Sequence, residues 1–228
     1  MRQLNILIAG EESQALTKEF RKLGHNAFSC DLLPCSGGHP EWHIKGDFWK
    51  SIETNRVFTT QDDNDHAKAF AKWDLVILHP HCTKVAVSGN GTYANTQERI
   101  DAANHNAGLF FYTQDYSDCV AMEQPVTVLR SIRPDLPKPH YVDLWWFGDK
   151  ECKKTAWFLK GLPPLEMTDN VGPPPKGKER AKWMKTWMMS PSDDRGHLRS
   201  KLNPKMAHAI AEQWSRHILT QTDNYLNT

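Results

Sequence analysis

The sequence predicts a single α/β domain built on an open, mostly parallel sheet, and three observations carry that prediction. Short runs at 5–9, 26–30, 74–78 and 119–122 read as strands, and the continuous apolar run at 5–9, with its β-branched members, reads as one buried on both faces. Segments of helical periodicity, at 13–23 and 95–112, lie between them. Strand and helix therefore alternate through the first 134 residues, the order of parallel βαβ units. A length of 228 residues suits one large domain with its own core, without help from disulfides or structural metals.

The elements follow in order. The run Asn5-Ile6-Leu7-Ile8-Ala9 breaks at Gly10, and Leu16, Phe20 and Leu23 then share one helical face until Gly24 stops the helix. A second strand over 26–30 ends at Asp31 and opens into a Gly/Pro-rich loop over 33–46. Residues 61–72 run from acidic to basic, as a helix or loop, into the strand Asp74-Leu75-Val76-Ile77-Leu78. The helix over 95–112 carries Ile100, Ala103, Ala107 and Phe110 or Phe111 on one face. The strand at 119–122 leads into a turn, Glu123-Gln124-Pro125. Composition changes near residue 134, which divides the chain into a core at 1–134, a small Pro- and Trp-rich extension at 135–200, and a closing segment at 201–228. The extension holds two hairpin strands, in YVDLWWFG and TAWFLKGLPPL. The last segment is a helix with Met206, Ala209, Ile210 and Trp214 facing the core.

Charge and composition exclude several classes. A net charge of +1 excludes a uniformly basic nucleic-acid coat. It hides a local excess, because 176–205 holds nine lysines or arginines against three acids. No apolar run approaches the roughly 18 residues of a membrane span, and the first residues lack the pattern of a secretory signal. Five scattered cysteines point to free thiols and a reduced, cytoplasmic setting.

Three places carry chemistry. In the turn between the first strand and helix, Gly10, Glu12 and Ser13 stand where an α/β sheet binds its ligand. With Asp31 placed for ribose hydroxyls and Asp47 for a base amine, the set suits an adenosine with a cationic tail, such as S-adenosylmethionine. The competing reading makes Glu11 and Glu12 helix N-terminal acids and Asp31 a turn residue. The central strand then delivers His79-Pro80-His81-Cys82 into a turn. A thiol flanked by imidazole at a strand end is placed for nucleophilic attack, with Glu123 at the next strand as its partner. The competing reading is a small cysteine with loop histidines. Third, the basic run 176–187 interleaves lysines with Trp183 and Trp187, which share a face if the segment is an α-helix. Cations there neutralise phosphates and indoles stack on unpaired bases, unless the tryptophans simply pack on the core. Separately, Cys30, Cys35, His39 and His43 have the spacing of a tetrahedral zinc site. Against zinc, Cys30 lies inside a strand, and Asp31 after it belongs to the ligand-binding loop. No metal is expected.

In order, ILIAGEES, Asp31, Gly46-Asp47, HPHC and MEQP resemble the motifs of the DNA cytosine-5 methyltransferases. EESQALTKEFRKLGH, CSGGHPEWHIKGD, HPHCT and KKTAWFLKGLPPL are most similar to small phage-encoded cytosine methylase-like proteins. The resemblance covers most of 4–165 and resumes at Arg199-Ser200-Lys201. It implies a Rossmann-like sheet of the S-adenosylmethionine-dependent methyltransferase type. Gly10, Glu12, Ser13, Asp31, Asp47 and Pro80 would hold the cofactor, and Cys82, His81 and Glu123 would act on cytosine. The resemblance also implies that CSGGHPEWH closes over that cofactor, with Trp42 as a stacking wall for adenine, and that Lys154 is placed to meet the substrate, DNA or a free cytosine nucleotide, in a host cytoplasm. Lys182 and Trp183 of the basic run, and Arg199 in the loop before the last helix, are the substrate contacts read from the residues themselves. The sequence departs from the family in motif one, where Ala9-Gly10-Glu11-Glu12-Ser13 replaces a glycine-rich turn. It also has His81 for a proline, Gln124 for an asparagine, and too short a region for a full target-recognition domain. A third reading is therefore a degenerate methylase fold kept as a nucleotide- or nucleic-acid-binding module.

Overall fold

A computed structural model describes residues 2–53, 57–67, 72–192 and 194–226. Its main sheet has seven strands: β1 (Asn5–Ala9), β2 (Asn26–Asp31), β3 (His43–Lys45), β6 (Leu75–Leu78), β7 (Val120–Pro125), β8 (His140–Asp143) and β9 (Lys154–Lys160). A small antiparallel hairpin, β4 (Val57–Thr59) with β5 (Asp65–Ala67), stands outside it. The helices are α1 (Ala15–Lys22), α2 (Phe48–Glu53), α3 (Asn90–Tyr93), α4 (Gln97–Tyr112), α5 (Leu129–Ile132), α6 (Arg195–Ser200) and α7 (Pro204–Leu226).

Strand order is β3-β2-β1-β6-β7-β9-β8, parallel throughout except for β9, which runs against both its neighbours. This is the Rossmann-like open sheet of the methyltransferase type that the resemblance implies. Its chain moves from β1 outward through β2 and β3, then returns to the other side of β1 with β6. The switch point between β1 and β6 is where such sheets open a crevice at their carboxyl ends.

The continuous apolar runs form central strands because both faces of the sheet are covered. Alternate residues of β1 face opposite ways: Ile6 and Ile8 join α1 and α7, while Leu7 and Ala9 join the layer containing α4. On the first face Met206, Ile210, Trp214 and Ile218 form a stripe at every fourth residue of α7 and are all buried. Trp214 packs edge-to-face on Trp157 of β9, with ring centroids 5.3 Å apart. The last segment thus completes the core begun by the first helix.

Four elements differ from the sequence-based expectation. Residues 61–67 contribute to the β4–β5 hairpin rather than a helix; the rest of that segment, 68–71, lies outside the described residues. The strand at 120 continues through Pro125 because β9 pairs along its whole length, so Glu123 stands inside a strand and not in a turn. On α4 the buried face holds Arg99, Ala103, Asn106, Ala107 and Phe110, and Ile100 is exposed. The basic stretch Gly177–Trp183 is a 3-10 helix with no buried side chain, and Trp187 falls beyond it and is exposed. Its cations leave no apolar face at α-helical spacing, so nothing favours a longer helix there.

Candidate active site at the strand ends

The carboxyl ends of β1, β2, β3, β6 and β7 meet along one edge of the sheet. The β1–α1 turn and the β6 turn touch: His79 N donates to Ala9 O at 2.8 Å, and Gly10 N donates to Cys30 O at 2.7 Å. A β-carbon on Gly10 would lie 2.4 Å from the His79 carbonyl oxygen, and its φ is +73°. Only glycine permits this approach. The position thus serves contact between two strand ends of the chain itself.

Glu11 is buried and turned inward. Its carboxylate accepts from Leu16 N at 2.6 Å, Thr17 N at 3.2 Å and Thr17 Oγ1 at 2.7 Å, capping the first turn of α1. Burial raises its pKa, partly opposed by the nearby His79 charge and by these hydrogen bonds. A raised carboxyl contributes most to stability below the usual glutamate range and loses that contribution as pH climbs through its folded pKa. Glu11→Ala leaves the Leu16 and Thr17 N–H groups without an acceptor. We expect it to cost about 1–3 kcal/mol, read as a lowered denaturant midpoint with an unchanged slope.

The Gly-rich loop after β2 lies over this turn. Ser36 N donates to Glu12 O at 2.8 Å, and the Ser36 hydroxyl bonds the Glu12 carboxylate. Gln14, fully buried with φ 57°, donates to His39 O at 2.8 Å and accepts from His39 N at 3.1 Å. Ser13 sits between these contacts and is half-buried. Trp42 is stacked by His39, centroids 3.8 Å apart, with the Arg21 guanidinium 5.1 Å from its ring. The indole expected as an adenine wall is therefore engaged by neighbours.

Asp31 and Asp47 close the ends of β2 and β3, which are joined by Gly46 N donating to Asp31 O at 2.9 Å. Each uses one carboxylate oxygen on its own loop: Asp31 accepts from Leu33 N and Asp47 from Trp49 N. The second oxygen of each has no hydrogen bond among the described residues. Paired acceptors at adjacent strand ends fit the hydroxyls and amine of a nucleoside. The four spaced Cys and His residues are used otherwise. His43 spends both ring nitrogens, on Ser29 Oγ and Leu33 O. Cys30 is buried against Ser51 and its thiol is pushed up to about 11. No metal-binding group of three or more His, Cys, Asp or Glu occurs among the described residues.

The β6 turn is held from two sides. Asn106 Nδ2 of α4 donates to His81 O at 3.0 Å, and Gln124 Nε2 of β7 reaches Pro80 O at 3.5 Å. Arg99, buried, donates to Lys84 O at 2.7 Å, to Asn90 Oδ1 at 2.7 Å and to Ala86 O at 3.3 Å, fixing the chain beyond Cys82. Sequence reasoning missed these three supports. The signal available was polar residues, Arg99 and Asn106, in phase with Ala103 and Phe110 on a helix face otherwise apolar.

Within this frame Cys82, Glu123, Lys153 and Arg199 form one electrostatic cluster. Burial and then the Glu123 charge raise the Cys82 pKa, while Lys153 and Arg199 lower it. Lys153 is pushed down by burial, against the pull of Glu123, Glu151 and Cys82. Its ammonium donates to Lys201 O at 2.8 Å, tying the start of β9 to the segment before α7. His79 Nδ1 lies 3.7 Å from Glu123 Oε2, and its Nε2 is buried with no hydrogen-bond partner among the described residues. His81, by contrast, has an exposed side chain. Lys154 is 3.6 Å from Asp143, so the lysine facing the thiol is its neighbour, Lys153. Lys182 pairs with Glu179 at 2.6 Å, and Trp183 is half-buried with its carbonyl accepting from Cys152 N at 2.6 Å.

These charges predict the thiol's behaviour. Alkylation of Cys82, followed by mass spectrometry of its peptide, should rise with pH around a midpoint above that of an ordinary thiol. Glu123→Gln removes a negative neighbour and should move the midpoint down. Lys153→Gln removes a positive one and should move it up.

A cavity of about 390 Å³ beside Glu19, Lys205 and His208 includes none of these strand-end residues. No helix among the described residues is long and apolar enough to cross a membrane.

No protein-family model matches the chain, and no curated protein sequence is similar to it. Among solved structures it is similar to an Entamoeba histolytica methyltransferase, EhMeth, at 10% identity and a TM-score of 0.43 over 75% of this chain and 58% of that one. It is also similar to the S. pombe Dnmt2 methyltransferase, at 11% identity and a TM-score of 0.40 over 69% of this chain and 49% of that one. The chain thus spans roughly half the length of either protein. Likeness at this distance bears on neither activity nor substrate.

Proposed function

We propose that the protein is an S-adenosylmethionine-dependent methyltransferase that modifies C5 of cytosine in DNA through a covalent bond to Cys82. The observation that carries this reading is Cys82 in the turn after β6 beside Glu123 at the carboxyl end of the neighbouring strand β7, with His79 Nδ1 3.7 Å from the Glu123 carboxylate and the charges of Lys153, just before β9, and Arg199 of α6 acting on the thiol. Cys82 is the nucleophile and adds to C6 of the ring. Glu123 engages N3 and the exocyclic amine, so negative charge built up by the addition is met by a proton-bearing group. That engagement neutralises the carboxylate that holds the thiol pKa up, which favours thiolate formation when the base is in place. Lys153 and Arg199 stabilise the thiolate and meet a phosphate. Pro80 and His81 supply backbone for the turn, and His79 orients Glu123. When bound, the cofactor supplies the methyl group. The Asp31 and Asp47 oxygens left open would hold its nucleoside, with Gly10, Glu12 and Ser13 beside it. Loss of the C5 proton and elimination of Cys82 then restore the aromatic ring and the free thiol.

The test is transfer of one labelled methyl group to cytosine in DNA, read by nucleoside mass spectrometry. Absence of transfer by the wild-type chain overturns the reading. A second reading is favoured by one specific feature, the engagement of the β1–α1 turn by Ser36 and of Gln14 by His39. If that latch stays closed, the fold is a nucleic-acid-binding module without turnover. Titration with S-adenosylhomocysteine separates the two, since binding requires the crevice to open.

A further inference from the structure

Beside the cluster, and separated from it by one stretch of backbone, lies a cavity of about 430 Å³. Cys152 and Lys154 line it, while the charge of the intervening Lys153 acts on Cys82 and Glu123. Trp145 forms an aromatic wall, braced edge-to-face by Trp146 and by Val171 N donating to its carbonyl at 3.1 Å. Pro174 forms a second, rigid wall, and Arg180 stands at the mouth. Arg180 makes no ion pair among the described residues, nor do Lys176 and Lys178 along the same segment. Lys154 is 3.6 Å from Asp143, the one acid of the lining.

An indole, a proline wall and a cation without an ion pair among the described residues, Arg180, are the parts of a site for a planar ring carrying a phosphate. The volume falls in the range of small-ligand sites, roughly 300–1,000 Å³, and accommodates one base rather than a base pair. Asp143 supplies an acceptor for a ring amine once Lys154 turns to phosphate. Resting on the methyltransferase reading, we propose that this cavity binds the unpaired nucleotide next to the reacting cytosine, so that the substrate is a single strand of nucleic acid. The free nucleotide and the duplex are thereby disfavoured. The subsite also gives the Trp-rich extension a role that a shortened recognition region leaves open.

The test is equilibrium binding by the full chain, which needs no turnover. The ligands are cytidine 5′-monophosphate, a cytosine-centred trinucleotide in deoxy and ribo forms, and a duplex containing the same trinucleotide. We expect the trinucleotide to bind at least tenfold more tightly than the mononucleotide and the duplex. Trp145→Ala and Arg180→Glu should each erase most of that preference, and the deoxy and ribo arms identify the sugar. Arg180 is exposed, so its variant reports even where loss of Trp145 impairs folding. Equal binding of mononucleotide and trinucleotide, tighter binding of the duplex, or preference retained in Arg180→Glu overturns the proposal. Strand preference without methyl transfer sinks the enzymatic reading and leaves this subsite standing.

Discussion

Cys82→Ala is expected to reduce methyl transfer to cytosine by roughly 10⁴- to 10⁶-fold, the range seen when a covalent nucleophile is removed. The thiol lies at the end of β6, and its turn is held by hydrogen bonds from Asn106 and Gln124 to backbone carbonyls. Losing the sulfur therefore leaves the frame intact, and the variant should fold and bind as the wild type does. Mass spectrometry supplies a second readout. A strand carrying 5-fluorocytosine cannot release its C5 substituent as a proton, so the wild type should accumulate a protein–strand adduct that the variant lacks. Unchanged turnover in Cys82→Ala rules out the covalent route.

Trp157→Ala is expected to destabilise the fold by about 3–5 kcal/mol, as for other fully buried aromatic residues. Trp157 is inaccessible to solvent and packs on Trp214 of α7, so its removal opens a void between the sheet and the closing helix. It also stands opposite Glu123 in the β7–β9 register and 6.1 Å from the His79 ring. The loss should therefore reach the site as well as the core. Trp157→Phe retains much of the volume and should cost less. A denaturant midpoint that hardly moves in the alanine variant would show that α7 is not anchored through this contact.

Much of the fold was legible in the sequence because burial on both faces demands continuous apolar strands, and amphipathic helices declare their period. β1, α1, β2, β6 and α4 stand within a few residues of their expected bounds, and α7 starts at the expected Pro204 but runs past the expected Leu219 to Leu226. What misled was local. Ile100 looks apolar enough to be buried, yet Arg99 takes that place because three carbonyl or amide oxygens of the β6 loop region are there to receive its guanidinium. Trp183 in the basic 3-10 segment and Trp187 beyond it stand at a helical interval, but interval alone does not create a face when no core lies beneath it.

The same division holds for the site. Asp31, Asp47, Cys82 and Glu123 were visible as chemistry at the ends of strands, since a parallel sheet carries all its strand ends to one edge. The choice between Lys153 and Lys154 was not visible, because adjacent residues face different surroundings: Lys154 lies 3.6 Å from Asp143, while the charge of Lys153 acts on the thiol. For Glu11 the competing reading, a helix N-terminal acid, is the one the structure bears out, whereas the sequence did not reveal that the loop at 32–39 rides on Gln14. Residue order and hydrophobic period were enough for the layers, the strand ends and the residue types available there. Which side chains converge was decided in three dimensions, because convergence depends on contacts between segments far apart in the chain, such as Glu19 of α1 with His208 of α7 at 3.1 Å.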